Sequence, residues 1–259
     1  MKLFTNKKKL REEIGKINNI SFVPTMGFLH KGHESIIKKS VKGSGKTLVS
    51  IFVNPKQFNS RKDLKNYPRN IRNDIKILKK LKIDYLYKPS YADVYKFKTK
   101  NKVYLDKFSK ELCGQFRKGH FKGVIDVVNR LLEIINPKRI LLGNKDFQQL
   151  YLIKKHIIKN KIKTQVFPCK TIRDKNFIAY SSRLKKLNHN EKTKLIRIVK
   201  VLKKYKKDLI LKKQIYNFSK IKKKIISIGA KNVDYIKLID LKTLKKPKKN
   251  KFNLFYAFY

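Results

Sequence analysis

Two histidines beside a predicted helix start, His30 and His33, are the residues of this chain with the clearest chemical use. They follow an apolar run over 20–23 and lead into an amphipathic segment over 34–41, a pattern that predicts strand, loop and helix. Side chains three residues apart share one helix face. The start of a helix favours binding of phosphate, because its unpaired backbone N–H groups and the positive end of the helix dipole face the anion. Two imidazoles there can donate hydrogen bonds to a phosphate as its negative charge grows. The motif therefore predicts transfer of a nucleotide by attack on the α-phosphate of ATP.

This H-x-G-H motif is short enough to arise by chance, so an alternative interpretation stays open. The segment could be a helix-capping loop that carries two surface histidines. Gly27 and Gly32 would let the backbone come close to a bulky ligand, because glycine has no Cβ.

Further candidate residues follow the ends of predicted strands, where doubly wound sheets bind their ligands. Gln57 comes after the strand predicted over 47–53, and its amide suits a substrate with hydroxyl and carboxylate groups. A solvated loop side chain is the alternative for Gln57. Lys145 and Asp146 follow the strand predicted over 139–142 and could hold phosphate and ribose. Asp146 could also be an ordinary helix cap.

Two more groups of polar residues complete the candidate set. Gln149 lies three residues after Asp146, so both would share one helix face. Ser181 and Ser182 stand directly before Arg183, and such a set can grip a triphosphate and hold the leaving pyrophosphate. The Ser-Ser-Arg triplet by itself is a weak signal.

The formal net charge of +51, from 68 Lys and Arg against 17 Asp and Glu, first suggests nucleic acid or an anionic membrane as partner. Only ten of the basic residues are Arg, the residue that phosphate and base recognition favours. The basic residues as a whole are spread along the chain. We therefore interpret most of the charge as solvated surface lysine. We expect no specific nucleic-acid or membrane partner, although the charge should concentrate anionic substrates.

The cysteines and the N-terminal residues indicate the compartment. Cys113 and Cys169 lie far apart, without metal-ligand spacing, and two cysteines do not make a disulfide framework. The first residues include no apolar stretch long enough for a signal peptide, and no run approaches a membrane span. The sequence predicts a cytoplasmic protein.

Alternating strand and helix patterns predict an α/β fold with a doubly wound, Rossmann-like parallel sheet over 1–187. Its strands are predicted over 20–23, 47–53, 84–87, 139–142 and 163–167, and its helices over 34–41, 68–81, 123–135 and 146–158. A smaller α+β domain is predicted over 188–259, with helices over 190–207 and 215–228, strands over 233–241 and 252–258, and a charged hairpin turn over 245–251.

The chain resembles the pantothenate synthetase (pantoate–β-alanine ligase) family of the H-x-G-H nucleotidyltransferase superfamily. The resemblance runs from about residue 20 to residue 187 and continues more faintly to the end. The matching segments occur in the family's order: VPTMGFLHKGH, VSIFVNPKQF, NYPRN, KPSYADVY, LCGQFRKGHFKGV, LLGNKDFQQL and AYSSR.

The resemblance implies that ATP, accompanied by Mg²⁺, activates pantoate as pantoyl adenylate, and that β-alanine then displaces AMP to give pantothenate. It implies a homodimer whose C-terminal domain acts as a lid. His33 would be the catalytic acid, with His30, Lys145 and Arg183 beside it, and the substrate pantoate would contact Gln57, Gln149 and Met26. ATP would be bound by Pro24, Thr25, Met26, Gly27, Phe28, Leu29, His30, Lys31, Gly32, His33, Gly143, Asn144, Lys145, Asp146, Ile172, Tyr180, Ser181, Ser182 and Arg183.

Several positions depart from the family pattern. Asn144 stands where the family usually has Glu, Lys56 replaces an apolar residue, and Tyr180 replaces a smaller apolar one. The run over 115–118 also differs from the family's small residues and Pro. The implied catalytic set is intact.

Two other functions remain as alternatives. A cytidylyl- or adenylyltransferase would use the same fold, but Gln57 and Gln149 within their motifs argue against it. An RNA-binding protein would need clustered Arg and aromatic platforms for stacked bases, and the sequence displays neither.

Overall fold

A computed structural model describes residues 1–212, 218–247 and 252–259. The chain divides into two compact units. The first comprises Met1–Ser109, Arg117–Ile172 and Ala179–Ser182, and the second comprises Lys110–Phe116, Arg173–Ile178 and the described part of Arg183–Tyr259. Two segments of the second unit precede the domain boundary predicted between 187 and 188, and that boundary stays a prediction.

The strands of the first unit form one parallel sheet, which confirms the predicted α/β fold. They are β1 (Lys2–Phe4), β2 (Ile20–Thr25), β3 (Lys46–Ile51), β4 (Tyr85–Tyr87), β5 (Arg139–Gly143) and β6 (Gln165–Cys169). Their spatial order is β1-β4-β3-β2-β5-β6, with every neighbouring pair parallel. After the edge strand β1, the chain builds the sheet outward from β2 through β3 to β4, and then in the other direction from β5 to β6. The crevice at this reversal is where doubly wound sheets bind ligands.

Helices cover the sheet and make up much of the second unit. They are α1 (Lys7–Ile14), α2 (Lys31–Val41), α3 (Arg61–Lys65), α4 (Ile71–Lys80), α5 (Tyr91–Tyr95), α6 (Cys113–Phe116), α7 (His120–Ile135), α8 (Phe147–Lys159), α9 (His189–Lys212) and α10 (Phe218–Ile228). Ile37 of α2 and Leu78 of α4 pack with Val23, Val49 and Leu141 of the sheet. Helices α1, α7 and α8 form a separate contacting group, α1 with α7 and α7 with α8.

The second unit has its own core, as expected for an α+β domain. Its antiparallel strands β7 (Val233–Ile239) and β8 (Asn253–Phe258) pair with each other. Ile198 and Leu202 of α9 pack with Ile225 of α10 and Ile236 of β7. The beginning of the helix predicted over 215–228 and residues 248–251 of the predicted turn lie outside the described residues. None of the helices in the described ranges combines the length and apolarity needed to cross a membrane.

Several helix and strand bounds differ from the sequence prediction. The helix predicted from residue 68 begins at Ile71, because the Asn70 side chain accepts a hydrogen bond from the backbone N–H of Asn73 and caps it there. Helix α2 begins at Lys31, three residues before its amphipathic segment. Strand β1 and helix α1 were not predicted; β1 has only three residues and pairs at the edge of the sheet with β4.

A buried histidine ties two helices to a loop in the first unit. His156 of α8 is 0% exposed. The backbone N–H of Tyr104 donates to its Nδ1 over 3.2 Å, so the neutral ring carries its proton on Nε2 and donates to Oδ1 of Asn129 in α7 over 3.0 Å. Asn129 in turn donates to the carbonyl of Asn101. Burial lowers the pKa of His156 to about 4.

This histidine predicts a loss of stability in acid. Between about pH 6.5 and 4 the unfolded chain binds a proton that folded His156 excludes, so the free energy of unfolding falls as the pH falls, by at most about 1.4 kcal/mol per pH unit for this group. We expect His156→Gln, which stays neutral, to lose less stability than the wild type between pH 7.5 and 5 in urea titrations. The exposed His189 provides the control variant His189→Gln. An unaltered pH dependence in His156→Gln would contradict the assignment.

Candidate functional site

The candidate residues of the first unit come from loops that follow neighbouring strands. Strand β2 lies between β3 and β5 in the sheet, and all three are parallel. The loops over 26–30, 54–57 and 143–146 therefore leave the sheet at the same edge, on both sides of the reversal in strand order.

The imidazoles of His30 and His33 stack on each other. Their ring centroids lie 4.0 Å apart, with 29° between the planes. His30 is the N-cap of α2, and its Nδ1 accepts a hydrogen bond from the backbone N–H of Gly32 over 3.1 Å. The proton of neutral His30 is thus on Nε2. His30 does cap the helix, as the alternative interpretation expected, but the histidine pair is not a simple surface feature.

His33 is the more enclosed of the two histidines. Its Nδ1 is buried and has no hydrogen-bond partner within the described structure. Leaving a buried polar atom unpaired costs free energy, and such atoms in native proteins call for a functional or structural explanation. The unpaired nitrogen lies in the segment that the sequence predicts to bind ATP.

Burial and positive charge keep both rings neutral. Burial, followed by the His30 imidazole and the Lys145 ammonium, lowers the pKa of His33 to about 3. Burial and then Lys145 lower the pKa of His30 to about 4, against the opposing effect of Asp146. Each neutral ring can donate one N–H and accept a proton at its other nitrogen. A bound polyanion would raise both pKa values, because an opposite charge favours the imidazolium form.

The loop before His30 is held by Asp74, a residue that sequence analysis missed. Asp74 is 1% exposed, and its two carboxylate oxygens accept hydrogen bonds from the backbone N–H groups of Phe28 and Leu29, each over 2.7 Å. Phe28 and Gly27 have positive φ values of 54° and 77°. A Cβ on Gly27 would lie 2.9 Å from the Asp74 carboxylate, so this turn requires glycine.

The sequence did contain a signal for Asp74. Its carboxylate interrupts the apolar face of α4, where Ile71, Ile75 and Leu78 stand at helical spacing. A charge on such a face is buried with a partner more often than alone. Without the fold, nothing identifies the loop over 27–29 as that partner.

Gln57 is held at both its side chain and its backbone. Its Nε2 donates to Met26 Sδ over 3.0 Å, and its Oε1 accepts from Asn54 Nδ2 over 3.2 Å. The Gln57 carbonyl accepts a hydrogen bond from Nδ1 of His120 over 2.7 Å; Nε2 of the same ring accepts from Arg117 over 3.2 Å. Two of the residues predicted to bind substrate, Met26 and Gln57, are therefore in direct contact.

Lys145 and Asp146 lie at the start of α8. They belong to a short 3₁₀ turn, Asn144–Asp146, and the Lys145 ammonium is 3.2 Å from the Asp146 carboxylate. Asp146 occupies the N-cap position of α8, but its side chain makes no capping hydrogen bond. Asn144 is exposed and has no carboxylate, so Asp146 is the residue of this turn that places a carboxylate beside Lys145.

Three other residues that are predicted to bind ATP, Ser182, Tyr180 and Ile172, make contacts in the first unit. The Ser182 hydroxyl donates to the carbonyl of Phe28 over 3.3 Å, and the Tyr180 ring lies 6.4 Å from the His30 ring. The backbone N–H of Tyr180 donates to the carbonyl of Ile172, which is 37% exposed.

Two predicted site residues lie outside the contacts described above. Gln149 is half-buried on α8, next to the buried Gln148. Arg183 is exposed and belongs to the second unit. The binding and catalytic roles of all the predicted site residues stay predictions.

The described residues include no cluster of three His, Cys, Asp or Glu side chains that could hold a metal ion. A magnesium ion with several water ligands needs no such cage, because substrate phosphates and one or two carboxylates can hold it. Asp146 offers a carboxylate of that kind beside Lys145.

Comparison with known proteins identifies related chains. Residues 2–259 match the family model of pantoate-beta-alanine ligase. Pantothenate synthetase of Flavobacterium psychrophilum is 44% identical over 190 residues, 73% of this chain and 67% of that protein. The Fervidobacterium nodosum pantothenate synthetase is 36% identical over 243 residues, 92% of this chain and 85% of that protein.

A solved structure is similar over the whole chain. It is the crystal structure of pantoate-beta-alanine ligase from Francisella tularensis, complexed with beta-gamma ATP and beta-alanine. The sequences are 34% identical and the TM-score is 0.84, with 100% of this chain and 93% of that chain covered.

The Asp74 contacts predict the effect of Asp74→Asn. An asparagine is neutral and retains one acceptor oxygen, so both loop N–H groups lose a charged partner and one of them faces an –NH₂ donor in place of an acceptor. We expect the free energy of unfolding to fall by about 1.5–3 kcal/mol, the typical contribution of a hydrogen bond to a charged group, and ATP to bind more weakly. Urea unfolding and titration calorimetry measure the two effects. The exposed Glu12 allows the control Glu12→Gln, and equal behaviour of the two variants would contradict the role of Asp74.

Proposed function

Because the chain belongs to the pantoate–β-alanine ligase family, we propose that the loops at the carboxyl edge of its sheet bind ATP and pantoate and perform the family's two-step reaction. The observation that carries this proposal is the stacked, neutral pair of His30 and His33 beside Lys145. The contact between Gln57 and Met26, on the loops after β3 and β2, supports a pantoate site at the same edge.

In the first step, a carboxylate oxygen of pantoate forms a bond to the α-phosphorus of ATP. The bond from that phosphorus to the bridging oxygen breaks, and pyrophosphate leaves. We assign His30, His33 and Lys145 to the phosphate oxygens on which negative charge grows. Nε2–H of His30 and the Lys145 ammonium are donors already in place, so little reorganisation is needed at the moment of reaction.

In the second step, the amine nitrogen of β-alanine bonds to the acyl carbon of pantoyl adenylate. The bond from that carbon to the AMP oxygen breaks, the nitrogen loses a proton, and pantothenate and AMP result. Positioning provides most of the catalysis, because the adenylate is already an activated acyl group. We assign Gln57 and Gln149 to pantoate, and Ile172, Tyr180, Ser181, Ser182 and Arg183 to ATP.

Four further assignments are also proposals. We propose that Mg²⁺ arrives with the phosphates of ATP and is held mainly by them and by water. Bound there, it would neutralise phosphate charge. A homodimer and a cytoplasmic location are also proposals, as is the role of the C-terminal domain predicted over 188–259 as a lid.

The reaction predicts pantoate-dependent exchange between ATP and pyrophosphate. Labelled pyrophosphate should enter ATP when pantoate is present and β-alanine is absent, because the first step is reversible and complete without the amine. Pantothenate and AMP should then form in equal amounts when β-alanine is added. Exchange that depends on a different acid, or on a nucleoside monophosphate, would overturn the proposed substrate assignment in favour of another nucleotidyltransferase.

Replacing His33 tests the assignment of the histidine pair. We expect His33→Ala to reduce the rate of pantoyl adenylate formation by about a hundredfold or more, the usual cost of removing a donor at a developing charge. Rapid-quench measurement of adenylate isolates this step, and circular dichroism checks folding. His189→Ala is the control for loss of an exposed imidazole. Near-normal adenylation by His33→Ala would leave the motif as a helix cap only.

A further inference from the structure

The amide of Asn54 has one possible orientation. Asn54 is 1% exposed. Its Nδ2 lies 3.0 Å from the carbonyl of Gly123, which can only accept, and its Oδ1 lies 3.2 Å from the backbone N–H of Lys56, which can only donate. Backbone groups therefore determine which end of the Asn54 side chain is oxygen and which is nitrogen.

The orientation of Asn54 decides what Gln57 offers to a substrate. Asn54 Nδ2 also donates to Oε1 of Gln57, so the amide oxygen of Gln57 is already engaged. The amide nitrogen of Gln57 is left on the other side, 3.0 Å from Met26 Sδ. Sulfur is a weak acceptor, and the –NH₂ group has a second N–H. Gln57 thus presents a donor, which suits the carboxylate and hydroxyl oxygens of a hydroxy acid.

The close approach of α7 to this loop depends on Gly123. A Cβ at that position would lie 2.2 Å from the carbonyl oxygen of Lys56, far inside van der Waals contact. The absence of a side chain at Gly123 is what brings its carbonyl within reach of Asn54.

Tyr95 makes a fourth contact with the Asn54 amide. Its hydroxyl donates to Asn54 Oδ1 over 2.9 Å, from helix α5. Burial, and then the Asp126 carboxylate, raises the pKa of Tyr95 well above its ordinary value, so the phenol keeps the proton that it donates.

The Tyr95 ring is itself held by charged and aromatic neighbours. The Lys56 ammonium lies 4.0 Å and the Arg130 guanidinium 4.8 Å from its centroid. Asp126 accepts from Arg130 over 2.8 Å and lies 3.6 Å from the Lys56 ammonium. The Tyr91 ring stacks on Tyr95 with centroids 4.7 Å apart. These contacts hold the phenol in place against Asn54.

We propose that Tyr95 is a positioning residue for the acid substrate, acting through Asn54 to keep the amide nitrogen of Gln57 directed at the oxygens of pantoate. This inference rests on the proposed function, in which Gln57 binds pantoate. Nothing in it requires Tyr95 to touch a substrate, and ATP binding does not depend on it.

The test is Tyr95→Phe, which keeps the ring and removes only the hydroxyl. We expect the KM for pantoate to rise about three- to tenfold, the effect of one lost hydrogen bond, with the KM for ATP unchanged. Tyr91→Phe removes a hydroxyl from the stacked neighbouring ring and should leave both KM values at wild-type levels. Equal rises in both KM values for Tyr95→Phe, or no rise for pantoate, would overturn the proposal.

A double-mutant cycle separates positioning from general packing. If Tyr95 acts through Gln57, adding Tyr95→Phe to Gln57→Ala should not raise the KM for pantoate further. A full additional increase would overturn the proposal.

If Tyr95→Phe unfolds at a low temperature, Asn54→Asp provides a second measurement. Its carboxylate still accepts the hydrogen bond from Tyr95 but cannot donate to Gln57. A wild-type KM for pantoate in Asn54→Asp would refute the proposed action of Tyr95 through Asn54. Pantoate-dependent pyrophosphate exchange by the wild type tests the proposed function independently.

Discussion

The parallel pairing of β2 with β3 on one side and β5 on the other is the constraint on which the candidate site depends. Parallel strands need crossover connections, so the loops that leave their carboxyl ends are separate in sequence and adjacent in space. The histidine loop, the Gln57 loop and the Lys145 loop are these three connections. Residues more than 100 positions apart, such as His33 and Lys145, are thereby brought to one edge of the sheet.

The strands bring the loops to one edge of the sheet but do not fix their conformations. Buried polar contacts fix them. Asp74 accepts from two backbone N–H groups of the histidine loop, and Asn54 joins the Gln57 side chain to the backbone of α7. Each of these side chains is nearly inaccessible to water. Buried polar groups stabilise a single arrangement because the unpaired alternatives are costly.

The charge of the chain acts differently on the surface and at the site. A net charge of +51 is spread over exposed lysines, where water and salt screen it. At the site, Lys145 and burial together hold His30 and His33 neutral. The negative charge of a triphosphate entering this region would raise the proton affinity of the His30 and His33 imidazoles. Local burial, more than total charge, therefore decides how the histidines behave.

The periodicity of the sequence alone determined the α/β class, the strands at 20–23 and 139–142, and the positions of the H-x-G-H and Gln57 motifs, because hydrophobic patterns and turn residues act over short distances. It did not reveal β1 or α1, which are short, nor the cap that moves α4 to Ile71. Only the tertiary structure decided that Asp74 holds the histidine loop and that Tyr95 reaches Asn54. Those contacts join residues 41 to 46 positions apart, and a one-dimensional pattern contains no information on which buried polar groups will meet when the helices pack.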